Sequence, residues 1–228
     1  QADLPAVPPE LDDLASRNVA VALALVKAMQ TRLNAVIAGI PKQRLGIVIG
    51  TSTSGLSANE AALFAHTRGQ ECTEALVYSR QQMNATSVAL QRYLDWQGPC
   101  FTVSTACSSA AKAILAGQRL LQADVCDVVL VGGIDTLCSL TFNGFDCLES
   151  LSAERCRPFG QDRDGINIGE AGALFLLHRE PKTWSCSAAV NPPMLGTFPR
   201  PIPRAKARRK PCNAPSPAQV YRPQTLTM

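Results

Sequence analysis

Histidine is almost missing from this chain: there are two in 228 residues, His66 and His178. Neither stands beside a second His or a Cys pair. The nine cysteines follow no CxxC or Cys/His spacing, so no metal site is expected. An odd cysteine count in a chain this long also argues against a disulfide framework. Reduced thiols in the cytoplasm fit better. Long apolar runs are absent, and none reaches the length expected of a membrane span. The start, from Gln1, lacks the basic-then-apolar layout of a secretion signal.

Acidic residues are the third absence. From Lys182 to Met228 there are eight Lys or Arg and no Asp or Glu. The formal charge of +4 therefore divides into +8 for this tail and −4 for residues 1–181. The tail also holds nine of the sixteen prolines, a composition that reads as unstructured. Its basic residues are not interleaved with stacking aromatics, so a nucleic-acid partner is not expected.

What is present is a globular pattern, with 46% hydrophobic and 18% charged residues. Residues 1–13 read as an extended, Pro-rich lead-in, and 14–181 as one folded region. Leu14 to Leu33 is Ala- and Leu-rich without Gly or Pro and predicts a helix buried among other layers. Leu45 to Ile49 (LGIVI), Cys100 to Ser104 (CFTVS), Asp127 to Val131 (DVVLV) and Ala171 to Leu177 (AGALFLL) predict strands. Ala58 to Ala65, Asn84 to Leu94 and Ala110 to Leu121 predict helices between them. Strands alternating with helices imply an α/β layered fold.

Cys107 is placed where a strand feeds a helix, in Thr105-Ala106-Cys107-Ser108-Ser109. The unpaired N–H groups and partial positive charge of a helix start favour a thiolate there. The same N–H groups can meet the oxygen of a thioester as it turns tetrahedral. Small neighbours leave room for a substrate arm, as at the nucleophile elbow of hydrolases. A cysteine among small residues is more often a packing residue, and the other eight cysteines carry only that reading.

The surrounding motifs shift the balance. VSTACSSAAKAI (Val103 to Ile114) resembles the active-site signature of the β-ketoacyl-[acyl-carrier-protein] synthases. LVGGID (Leu130 to Asp135) resembles the strand and glycine pair that follow it in that family. CRPFGQDRDGINIGEAGA (Cys156 to Ala173) resembles the family's CRPFD…RDGFVxGEGAG segment. Gln81 to Asn84 and Gly144-Phe145 are similar to bacterial fatty-acid and aryl-polyene type synthases. The chain departs from the pattern at Gly160, usually Asp, and at Ala171, usually Gly; both departures bear on packing more than on chemistry.

The resemblance implies the N-terminal half of a thiolase-like sandwich, with Cys107 as acyl-thioester nucleophile and its backbone N–H in the oxyanion hole. It implies acyl carrier protein as partner, no cofactor beyond the carrier's phosphopantetheine, and a homodimer or heterodimer. After acyl transfer, malonyl-carrier protein would be decarboxylated and condensed with the aid of two histidines from the family's second half. His66 and His178 lack the HGT and GH contexts of those histidines and read as ordinary side chains. Arg163, Asp164 and Glu170 match family positions and read as structural, with Glu170 satisfying backbone groups near a strand end. The chain thus reads as condensation-deficient. A chain-length-factor-like partner is a competing reading, which the presence of Cys107 disfavours; an inactive fragment is another.

The tail has its own explanation. Back-translated and reread one base out of phase, Val190 to Leu195 can encode GESSDA, Phe198 to Pro203 an SAPDP-like string, and Val220 to Met228 VSPADIDY. These resemble the family's continuation, in order, and point to a frameshift near Lys182. Sequencing the encoding DNA should show codons that spell these strings; codons that forbid them end the idea.

Overall fold

The computed structural model describes residues 4–70 and 76–179, together with the backbone of 184–190. Most of the 182–228 tail therefore lies outside the described residues. Where the lead-in was read as extended, Pro9–Leu14 instead forms a turn of 3-10 helix. Leu11 and Leu14 are buried there, so apolar anchors override the Pro-rich composition.

Helix α1 (Arg17–Ile37) begins at Ser16, whose hydroxyl accepts the Val19 amide at 3.3 Å, a conventional N-cap. It stops at Ala38, with Gly39 at φ +77°, three residues before the Lys42–Arg44 turn that leads into strand β1 (Leu45–Gly50). Helices α2 (Glu60–Thr67), α3 (Tyr78–Gln81) and α4 (Ala85–Leu94) follow. Strand β2 (Cys100–Val103) then feeds helix α5 (Ser109–Gln122). Strand β3 (Val128–Asp135), helix α6 (Ser139–Cys147), and strands β4 (Ala171–Arg179) and β5 (Trp184–Val190) complete the order.

The five strands form one sheet in the order β2-β1-β3-β4-β5. Strands β2, β1 and β3 are parallel; β4 is antiparallel to β3, and β5 to β4. All six residues of β1 are buried, as a strand covered on both faces requires. Alternation sorts the side chains. Ile47, Ile49, Leu130, Leu174 and Leu176 join the core under α1 and α4. Val48, Val129 and Val131 join Ala113 and Leu121 of α5 on the opposite face.

At 21 residues and a mean hydropathy of 1.3, α1 does have the length and composition of a membrane-crossing helix, contrary to the expectation from run length. Its apolar surface is committed to the sheet: Val19, Leu23, Val26 and Leu33 are buried in that core. Asn18, fully buried, donates to the Ile134 carbonyl at 3.0 Å and accepts the Thr86 hydroxyl, tying α1 to β3 and α4.

Two expectations shift. The Gly132-Gly133 pair does not close a strand but lies inside β3. A Cβ on Gly132 would meet the Ala173 carbonyl oxygen at 2.0 Å, and one on Gly133 the Ala110 Cβ at 2.5 Å. The glycines are there for close approach, not as a stop. Residues 184–190 pair with β4 as a strand, so the unstructured reading does not hold for that backbone.

Gly50 is the counterpart on β1, in register with Gly133. A Cβ there would lie 2.5–2.6 Å from backbone atoms of Ser109 and Ala110. Gly50→Ala should lower stability by about 2 kcal/mol or more through overpacking, read from urea unfolding. Gly144→Ala, in α6 with nothing within 4 Å of the added carbon, should raise stability by about 0.5–1 kcal/mol.

Candidate active site

Parallel strands deliver their C-terminal ends to one edge of the sheet, the place where open α/β sheets form their crevices. Here Gly50, Val103 and Gly133 lie level with one another. The chain leaving β2 turns through Ser104 to Ser108 and enters α5 immediately. Cys107 sits on this turn, two residues before the helix, and is exposed.

The turn is held by short polar links. The Ser108 hydroxyl donates to the Thr105 carbonyl at 2.9 Å. The Ser109 hydroxyl accepts the Thr105 amide at 2.9 Å and donates to the Ala106 carbonyl at 2.6 Å. Ala106, just before the cysteine, has φ +51°, a left-handed conformation that costs an L-residue about 1 kcal/mol. The α5 face beneath is narrow. Ser109, Ala113, Gly117 and Leu121 are its buried positions, four residues apart. A Cβ on Gly117 would meet Val131 Cγ1 at 2.4 Å. Small residues thus set the helix close on the sheet and fix where its first turn opens.

A second lock lies on the same edge. Asp135, the last residue of β3, accepts four hydrogen bonds at one oxygen. The donors are the Ser52 and Thr53 amides (2.7 and 3.0 Å) and the Thr51 and Thr53 hydroxyls (2.9 and 3.1 Å). This pins the loop after β1 to the end of β3.

The other residues singled out in the sequence go elsewhere. Glu170 is 7% exposed. It accepts Arg17 Nη2 at 2.6 Å and the Leu137 amide at 3.3 Å, a structural clamp between α1 and the two strand ends. That carboxylate, hydrogen-bonded to the guanidinium, raises the Arg17 pKa. Asp164 accepts the Ser152 hydroxyl at 2.8 Å, and Arg163 donates to the Gly160 carbonyl at 2.9 Å, both on the exposed 150–167 segment. Ala171 pairs with Asp135 at the start of β4 with its methyl exposed, which explains why Ala is tolerated there. A Cβ added at Gly172 would meet the Leu25 and Val21 side chains at 2.9 Å, so α1 packs tightly against this strand.

His66 is exposed in the last turn of α2. His178 pairs with Val128, at the far end of β3 from Gly133, about 17 Å away at the usual rise per residue. His178 thus lies at the opposite end of the sheet from the Cys107 turn, and His66 belongs to α2. No group of three or more His, Cys, Asp or Glu suited to a metal occurs among the described residues.

The profile of the family described as "Beta-ketoacyl synthase, N-terminal domain" matches residues 10–182. The chain belongs to the β-ketoacyl synthase family. Among solved structures, this chain is similar to the ketosynthase (ApeO) in complex with its chain length factor (ApeC) from Xenorhabdus doucetiae. The TM-score is 0.75 with 43% identity, over 80% of this chain and 46% of that one. The ishigamide ketosynthase/chain length factor gives a TM-score of 0.61 with 27% identity, over 76% and 43% of the two chains. A curated relative, 3-oxoacyl-[acyl-carrier-protein] synthase 2 of Mycobacterium tuberculosis (strain CDC 1551 / Oshkosh), is 31% identical over 63% of this chain and 37% of its own length. Nodulation protein E of Rhizobium meliloti is 29% identical over 59% and 34%. The chain thus spans about a third of these curated relatives and under half of the solved chains. The ketosynthase N-terminal half expected from the motifs is the fold observed.

Cys107 lies on the strand-to-helix turn expected from the sequence, but sequence reasoning passed over the Ser109 hydroxyl and the Asp135 lock. The signal was there in the two serines after the cysteine, which were read only for their small size.

Burial divides the thiols. Cys126 and Cys138 are buried, while Cys107 and Cys147 are exposed. Burial pushes the Cys100 and Cys126 thiols above their ordinary pKa. An exposed thiol should therefore alkylate first, and Cys100 and Cys126 should resist further as pH rises through the ordinary thiol range. Iodoacetamide with peptide mapping from pH 7 to 10 should label Cys107 and Cys147 before Cys100, Cys126 and Cys138; early labelling of Cys126 contradicts the fold. Glu170→Gln should lower stability by about 2–3 kcal/mol, less than breaking a fully buried ion pair because the Arg17 side chain is partly exposed. The Cys107 alkylation rate of the folded chain should stay unchanged.

Proposed function

We propose that this chain performs the acyl-accepting step of a condensing enzyme. The Cys107 thiolate attacks the carbonyl carbon of an acyl group carried on the phosphopantetheine of acyl carrier protein. A bond forms from the Cys107 sulfur to the acyl carbon. The bond to the pantetheine sulfur breaks, and the departing thiolate takes up a proton in place of the one Cys107 lost. One observation carries this reading: an exposed cysteine on a strained, hydrogen-bonded elbow at a helix start, on the edge where the parallel strands end.

The second stage, decarboxylation of malonyl-carrier protein and attack on the acyl-enzyme, needs groups that the described residues do not bring to Cys107. His178 lies at the opposite end of the sheet, and neither His66 nor His178 has the HGT or GH context of the family's catalytic histidines. The family match stops at residue 182, where acidic residues also stop, which supports a change of reading frame there. The chain as it stands is condensation-deficient on this reading. The full-length protein would carry out decarboxylative condensation in fatty-acid or polyketide-type synthesis, in the cytoplasm. Leu115 on the outward side of α5 is 50% exposed, and Leu148 and Phe159 are 71% and 100% exposed, as layers awaiting a second half would be.

Two of the similar structures pair a ketosynthase with a chain length factor. The presence of Cys107 favours the ketosynthase role over that of a chain length factor, and a chain length factor or a second copy would be its partner. A thiol-reactive inhibitor bearing an acyl-like chain should modify Cys107 selectively, and Cys107→Ala should abolish the modification. Malonyl-carrier-protein decarboxylation should stay at background. Selective labelling of Cys147 instead, or robust decarboxylation, contradicts the proposal.

A further inference from the structure

We propose that Ser109 is a positioning residue for acyl transfer: its hydroxyl turns the Ala106–Cys107 peptide so that the Cys107 N–H faces the acyl carbonyl oxygen. This rests on Cys107 being the acyl acceptor. A buried serine in a first helical turn ordinarily serves its own helix. Ser109, 2% exposed, instead bonds back to the two residues before the cysteine, Thr105 and Ala106. The Ala106 carbonyl receives two donors from the start of α5, the Ser109 hydroxyl at 2.6 Å and the Ser109 amide at 3.0 Å.

A trans peptide is planar, and its C=O and N–H point in opposite directions. No cis peptide occurs among the described residues. Drawing the Ala106 carbonyl toward the helix therefore aims the Cys107 N–H away from it, toward the exposed side of the elbow. The left-handed Ala106 is what makes this orientation possible and is also what needs holding. Ser109 is a firm anchor, because its own backbone is wedged against Gly50.

As the Cys107 sulfur bonds to the acyl carbon, the carbonyl π pair moves onto oxygen. The Cys107 N–H donates to that oxyanion until the C=O re-forms and the pantetheine thiolate leaves, to be protonated from solvent. Losing one such donor typically slows a reaction by about a hundredfold or more; a donor mis-aimed but present should slow it by about tenfold. Alkylation at the same sulfur displaces iodide from a saturated carbon and develops no oxyanion.

The experiment compares two rates at Cys107 in the full chain, followed by peptide mapping: acylation by an acyl-pantetheine thioester and alkylation by iodoacetamide. Protection of Cys126 and Cys138 identifies the folded fraction, on which both rates are taken. Ser109→Ala should lower acylation by about tenfold while leaving alkylation within about twofold. Ser109→Thr, which keeps the hydroxyl, should restore the wild-type ratio of the two rates. Equal falls in both rates, or none in acylation, would overturn the Ser109 role alone. A wild-type chain that is alkylated but never acylated would overturn the acyl-acceptor reading and this role with it.

Discussion

The first turn of α5 rests directly on the backbone of the sheet, and the rest of the structure depends on that close seat. Gly50 of β1 and Gly133 of β3, in register with each other, leave no room for a side chain beneath Ser109 and Ala110. Interiors are close-packed, so the seat fixes the helix start to within fractions of an ångström. With the helix start fixed, the short turn from β2 has little freedom. Ala106 is forced left-handed and Cys107 is lifted out of the core.

The remaining elements serve this seat from a distance. The alternating residues of β1 and β3 put one core under α1 and another under α5, so the sheet is clamped from both faces. Asn18 and Glu170 tie α1 to the site-proximal ends of β3 and β4, with buried polar atoms paired as burial requires. Arg44 secures the other end, bonding to Asp127 at 2.6 Å and to the Asp124 carbonyl at 2.7 Å where α5 gives way to β3. The turn that carries Cys107 is therefore supported from both faces of the sheet.

Much of this was legible in the sequence because it is periodic or small. The β-branched runs gave β1 and the start of β3, the Ala-rich stretches gave α1 and α5, and the small residues around Cys107 gave the elbow. The misses have physical causes. Gly132 and Gly133 look like a strand terminus, because close backbone approach across a sheet leaves no mark in a linear pattern. Helix α6 (SLTFNGFDC) has no buried residue, so no apolar stripe announced it. The Ser109 hydroxyl was hidden by its own size, since one residue type serves equally as a spacer and as a hydrogen-bond staple. Trp184–Val190 shows the reverse case, in which pairing with β4 imposes an extended backbone on a segment whose composition does not ask for it.

The central claim is that the elbow presents Cys107 to take up an acyl group. The most direct measurement is the mass of the Cys107-containing peptide after the chain is mixed with acylated carrier protein. The account predicts a mass increase equal to the acyl group, removed by neutral hydroxylamine as a thioester should be and confined to that peptide. An unmodified Cys107 peptide beside intact acyl-carrier protein, or acyl groups scattered over several cysteines, would contradict it.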